Sequence, residues 1–186
     1  MTSLSILSVK SGKSASTPFT PFSKASREMA ASCGEITTSK PAFRRSSGPA
    51  SGICRVIKTF KPTGKVLEIG GGRGAITQEL ISPRKKVDVV EIDRGLSFLL
   101  NQKFAEKINV LNEDVMDVSF DSYSSIVGNI PFSLSSPIIF KFLSSKSKKA
   151  LFWLQKEFAD KIVASPSQEN FARISVMVQA KADAKK

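Results

Sequence analysis

The chain has 186 residues, 41% of them hydrophobic, which is enough for one α/β domain with a buried core. Two cysteines, Cys33 and Cys54, and no histidine exclude a disulfide framework, a His/Cys zinc site and histidine acid–base catalysis, and point to a reducing compartment. With 28 Lys and Arg against 16 Asp and Glu the formal charge is +12, which favours a polyanionic partner; residues 1–53 hold seven basic and two acidic residues, so +7 belongs to the remainder.

Residues 1–50 are rich in Ser, Thr, Lys and Pro, show little apolar periodicity, and read as a disordered basic tail. Their Ser content and few acids are those of an organellar leader, but a secretory apolar region and an Arg-rich amphipathic face are missing, so a plain tail on a cytoplasmic protein is the expectation and organellar targeting the alternative. No apolar run approaches the ~18 residues needed to span a membrane.

From residue 51 to 186 the texture is that of a single domain. A short helix over Ile53–Phe60 stops at Pro62-Thr63-Gly64. Val66–Ile69 is a buried strand that runs into Gly70-Gly71-Gly72-Arg73-Gly74, followed by a helix over Ala75–Ile81. A second strand, Val87–Ile92, leads to a helix over Gly95–Phe104, and a third, Ile108–Leu111, ends at Asn112-Glu113-Asp114. Ile126–Gly128 belongs to a fourth strand, and a helix over Pro137–Leu143 has proline in its first turn. Lys149–Leu154 is a fifth strand, with a helix over Glu157–Val163 behind it. Strands alternating with helices at this spacing predict a doubly wound, mostly parallel α/β sheet.

Such sheets bind ligands at the carboxyl ends of their strands, and each of the first four strands ends in a polar group. Glu68-Ile69-Gly70-Gly71-Gly72 closes the first, where Gly70 and Gly72 let the backbone turn and approach a ligand. Glu91 closes the second, and its carboxylate can accept from both hydroxyls of a ribose. Asp114 follows the third and can accept from an adenine amino group, and Asn129 closes the fourth. Taken singly, Asp114 is also a helix cap and Glu91 a surface acid; Asp93 is read as structural. Together the four describe an S-adenosylmethionine site with an amine acceptor beside it.

Asn129-Ile130-Pro131-Phe132 supplies that acceptor site. The lone pair of an exocyclic base amine is delocalised into the ring. An Asn side-chain oxygen and a nearby backbone carbonyl can accept from its NH2 group and free the lone pair. Pro131 stiffens the turn and Phe132 offers a face for stacking. A nicotinamide-dependent oxidoreductase is the competing reading, because Gly70-x-Gly72-x-x-Ala75 with Glu91 downstream also meets the dinucleotide fingerprint. It gives Asn129-Ile130-Pro131-Phe132 no role, and Tyr123, the only tyrosine, has no lysine four positions on.

These residues resemble the rRNA adenine N6-dimethyltransferases, the family of small-subunit rRNA dimethylases and macrolide-resistance methylases. The resemblance runs from Gly64 to Gln179 and takes in Val66–Gly70, Val90–Asp93, Glu113-Asp114, Val127–Phe132, Leu154–Glu157 and Arg173–Gln179. It implies a Rossmann-like methyltransferase domain, S-adenosylmethionine contacted through Glu68, Gly70, Gly72, Glu91, Asp114 and Asn129, a target adenine held by Asn129, Pro131 and Phe132, and small-subunit rRNA as partner of a monomer. The chain departs from the family twice. The Gln-Asn/His-Phe-Leu motif that closes over the cofactor is missing from Phe43–Gly48, and the family's last strands and helical RNA-binding domain do not follow Lys186. Incomplete C-terminal strands would leave Leu151, Phe152 and Trp153 near an open sheet edge unless something covers it. An RNA-binding assembly factor on a methyltransferase scaffold is therefore the alternative function. Lys141, Lys146, Lys148, Lys149, Lys156 and Lys161, with Arg44 and Arg45, are the expected RNA-facing charges.

Overall fold

The computed structural model describes residues 4–12, 52–83 and 85–186. The elements in chain order are β1 (Leu4–Ser11), α1 (Gly52–Phe60), β2 (Lys65–Ile69), α2 (Thr77–Leu80), β3 (Lys86–Val90), α3 (Arg94–Phe104), β4 (Asn109–Leu111), β5 (Ser125–Asn129), α4 (Ser135–Ser144), β6 (Lys149–Gln155), α5 (Lys156–Val163), α6 (Arg173–Lys181) and β7 (Ala182–Lys185). The strands form one sheet in the order β4-β3-β2-β5-β6-β1-β7. The run from β4 to β6 is parallel, and β1 is antiparallel to both of its neighbours.

Strands buried on both faces read as continuous apolar runs, and β6 is buried from Ala150 through Leu154. Alternate residues feed two cores. Leu67, Ile69, Ile126 and Phe152 face one side with Ile138, Ile139 and Phe142 of α4. Val66, Val89, Val127, Leu151 and Trp153 face the other with Ile57 of α1 and Leu100 and Phe104 of α3. Asp93 accepts from Leu96 N at 2.8 Å and caps α3, the structural role expected of it. No helix among the described residues is long and apolar enough to cross a membrane.

The parallel α/β plan agrees with the sequence reading, with local differences. The helix expected over Ala75–Ile81 contracts to Thr77–Leu80, because the glycine turn persists to Gly74, whose N–H donates to Gly71 O at 2.8 Å. The larger difference is at the amino terminus. Residues 4–11, expected to be part of a disordered tail, form a strand with seven register pairs along β6. Leu7 and Val9 are fully buried there, and that burial offsets the cost of ordering the backbone. The edge expected beside Leu151, Phe152 and Trp153 is thus covered by β1, with β7 beyond it. The rest of the expected tail, with Cys33, Arg44, Arg45 and the Phe43–Gly48 region, lies outside the described residues.

The chain steps outward from β2 to β3 to β4, then returns to lay β5 on the other side of β2. This reversal opens a crevice at the carboxyl ends of β2 and β5. The two strands meet there without a side chain between them, since a Cβ on Gly128 would sit 2.8 Å from both Ile69 Cβ and Ile69 O. Gly128→Ala should therefore destabilise the domain by about 1–3 kcal/mol through overpacking. Chemical denaturation at fixed pH measures it.

Candidate active site

The glycine turn sits over the reversal point. Gly70 and Gly72 have φ of 70° and 53°, values that favour glycine. Gly70 N–H donates to Val90 O at 2.9 Å and ties the turn to β3. A Cβ on Gly72 would meet no atom within 4 Å, so the turn faces open space. Gly71 is glycine for another reason: a Cβ there would collide with Val89 and Leu100. The position a Cβ would take on Gly70 lies 4.0 Å from the backbone oxygen of Asn129, which puts the end of β5 directly against the turn.

Glu91 is buried, and both its oxygens accept backbone N–H groups, Oε2 from Gly72 at 2.9 Å and Oε1 from Asp93 at 3.0 Å. It therefore clamps the glycine turn to the end of β3, and a second lone pair on each oxygen remains for a ligand. Asn112 and Ser97 hold this segment from behind. Asn112 Nδ2 donates to Glu91 O at 2.8 Å, and Ser97 Oγ donates to the same oxygen at 3.0 Å. Asp114 is exposed and no helix follows it, so the helix-cap alternative is not met; its Oδ1 accepts from Met116 N at 2.8 Å across a turn, and its other oxygen is left over. Exposed Ile92, next to Glu91, and exposed Met116, two residues after Asp114, add apolar surface near these acids in the chain. Sequence reasoning missed Ile92, Met116, Asn112 and Ser97. Exposure of a large apolar side chain is visible only in three dimensions.

Asn129 is exposed at the end of β5, and no hydrogen bond found among the described residues engages its amide. Its backbone is fixed by the next residue, since Ile130 N–H donates to Trp153 O at 3.0 Å. The Pro131 carbonyl accepts from Leu134 N at 3.0 Å and from Ser135 Oγ at 3.1 Å, so it anchors the start of α4. Between the Ile130 and Pro131 carbonyls, either near enough in the chain to grip an amine, Ile130 is spared this duty. The Phe132 ring is 66% exposed and free to stack.

Glu68 differs from the other expected site residues. It is fully buried, and among the described residues no hydrogen-bond partner reaches either carboxylate oxygen or the Thr77 hydroxyl beside it. Burial pushes its carboxyl up from 4.5 to about 8, with the nearby Glu91 charge adding to the rise and Thr77 opposing it. Glu68 thus belongs to the floor of the glycine turn and not to its open face.

The six lysines expected to form one RNA-facing surface do not gather. Lys141 Nζ donates to the Val115 and Met116 carbonyls below Asp114, and Lys149 Nζ donates to the Phe60 and Lys61 carbonyls and caps α1. Lys156 pairs with Asp160 at 3.6 Å. Lys146 and Lys148 precede β6, at the opposite end of the sheet from the crevice, whereas Lys161 follows it in α5.

The sequence profile of the Ribosomal RNA adenine dimethylase family matches residues 52–186. A probable ribosomal RNA small subunit methyltransferase A of Pyrococcus abyssi is 37% identical over 119 residues, 63% of this chain and 44% of the relative. The corresponding enzyme of Pseudomonas syringae pv. tomato is 35% identical over 147 residues, 74% and 54% of the two chains. Among solved structures, a dimethyladenosine transferase from Plasmodium falciparum superposes with a TM-score of 0.63 at 29% identity, over 68% of this chain and 49% of that one. The 23S rRNA methyltransferase ErmE gives 0.60 at 30% identity, over 68% and 54%. The chain spans about half the length of the curated relatives it matches. These likenesses set aside the nicotinamide reading.

The raised carboxyl of Glu68 has a measurable consequence. Its neutral form is favoured in the folded state, so this group lowers stability as pH rises from 4.5 to about 8, where the unfolded chain releases the proton first. Glu68→Gln should flatten the fall in Tm across that window and leave the variant the more stable protein at its alkaline end, as read by thermal melts against pH. With fold, crevice and profile in agreement, the chain belongs to the ribosomal RNA adenine dimethylase family.

Proposed function

We propose that this chain transfers methyl groups from S-adenosylmethionine to the N6 amines of adenines in small-subunit rRNA, two per base, as part of ribosome biogenesis. The observation that carries the reading is the approach of the Gly70 turn to the backbone oxygen of Asn129, which supports a donor-binding turn beside the residue that would grip the acceptor amine.

The residues present fit the cofactor. Open space above Gly72 admits its methionine end, the spare lone pairs of Glu91 suit its ribose hydroxyls, and Asp114 with Ile92 and Met116 suits an adenine ring. When bound, S-adenosylmethionine supplies a methyl group on a positively charged sulfur, already a good leaving group. The chain's own residues do the positioning. A target adenine taken out of its stack would lie on Phe132. Asn129 Oδ1 and the Ile130 carbonyl would each accept one amine hydrogen and turn the nitrogen lone pair toward the donor side. No strong base is needed, because the amine becomes acidic only after transfer. A protein without histidine can therefore do this chemistry, with orientation supplying most of the rate.

Two measurements test the proposal. Titration with S-adenosylmethionine should show saturable binding, and labelled methyl groups should pass to small-subunit rRNA that lacks the modification. Asn129→Ala should cut transfer by about 10²–10³-fold, the usual cost of losing a directed hydrogen-bonding group, while donor binding is largely kept. Phe132→Ala should weaken the use of rRNA more than the use of donor. Donor binding without transfer in the unmodified chain would favour the assembly-factor alternative, and full turnover in Asn129→Ala would refute the assigned role.

A further inference from the structure

The place in the sheet between β6 and β7 is filled by a strand from a distant part of the chain. β1 is antiparallel to both neighbours, so β6 and β7 run in the same direction with one strand width between them. The strand between them is hydrogen-bonded to both. The family profile covers β6 and β7 but starts at residue 52, so the two walls of this lane lie inside the matched segment and the filler lies outside it. Residues 12–51 separate the filler from α1.

The fit is specific. Leu7 and Val9 are fully buried in one core, Ser5 is buried on the same face, and Ile6 packs against the other core beside its register partner Trp153. At the end of the lane Ser11 N–H donates to Lys148 O at 2.9 Å, Ser11 Oγ to Ser147 O at 2.7 Å, and Gly12 N–H to Lys181 O at 3.3 Å. The end of β1 is thus tied to the residues before β6 and to the last residue of α6. β6 is also the strand whose Trp153 carbonyl holds Ile130, so the filler is one strand removed from the candidate catalytic turn.

We propose that the lane between β6 and β7 is a strand-binding site, and that its occupant is the chain's own Leu4–Ser11, held by strand addition and not by its covalent tether. The ligand class is an extended segment with apolar side chains at the positions of Leu7 and Val9 and a small one at Ser5. Bare, the lane would expose the edge of β6 with Leu151 through Leu154, and strand pairing in the lane removes that liability.

Trp153 is the only tryptophan, so its emission reports the lane directly. The test starts from the full chain with a protease site inserted after residue 30, folded intact and then cut. The amino-terminal fragment should stay with the body through gel filtration, and Trp153 should keep the emission of a buried indole. The cut protein is then unfolded and refolded in excess labelled peptide of residues 1–12. That peptide should be taken up, and one carrying Leu7→Asp and Val9→Asp should be taken up at least ~100-fold less well, since it would bury two unpaired carboxylates. Loss of the fragment on cutting, uptake of neither peptide, or equal uptake of both would each overturn the proposal. None of these readouts depends on methyl transfer.

Discussion

The close approach of β2 to β5 sets everything else in this domain. Gly128 brings the backbones together, Ile69 and Ile130 close over the gap, and the sheet reverses its winding at that place. A crevice forms because helices on either side of a reversal diverge. The glycine turn after β2 and the Asn129 turn after β5 become neighbours for the same reason, though 58 residues of chain lie between Gly70 and Asn129. No long-range attraction between polar groups is required. Apolar strands buried on both faces set the geometry, and the polar ends of those strands are carried along.

Rigidity at the crevice comes from backbone carbonyls and amides held by hydrogen bonds to side chains and to the neighbouring strand. Glu91 clamps the glycine turn, Asn112 and Ser97 clamp Glu91, and Trp153 clamps Ile130. The groups left unclamped are the Asn129 amide and the Phe132 ring, at the mouth of the crevice. A different economy operates within the sheet. Tyr123 donates to Asp88 Oδ2 at 2.7 Å and Lys65 pairs with the same oxygen at 2.8 Å, so that buried carboxylate has two partners. Burial, with the Asp88 contact, holds the Tyr123 hydroxyl protonated well above the ordinary range. Glu68 has no such partners among the described residues, and its carboxylate stands unmet beside the Thr77 hydroxyl.

Much of this was legible in the sequence. Continuous apolar runs such as Leu151–Leu154 marked strands buried on both faces, and the polar group after each of the first four strands marked the ligand end. Where reading failed, non-local contacts had decided the outcome. β1 is a Ser-rich stretch inside a Ser-rich region, and only the lane beside β6 gives its Ile6, Leu7 and Val9 somewhere to go. Arg173–Lys181 holds Ile174, Val176 and Val178, residues of weak helix propensity, and is helical because it packs on α5 and precedes β7. Asn112 carries no sequence signal at all, since its partners, two carbonyls and the Ser97 hydroxyl, lie 15 to 21 residues away. Glu68 precedes the glycines in the sequence, and the structure buries its side chain completely.

The lysines that close carbonyl ends have a consequence for how this molecule meets a polyanion. Lys141 and Lys149 count toward the formal +12, yet each has its ammonium group committed to main-chain oxygens, and desolvation lowers the pKa of Lys149 further. A cation engaged in this way would release few counterions to the RNA partner proposed above. The steepness of an ionic-strength titration should therefore report a smaller effective valence than the sequence total suggests.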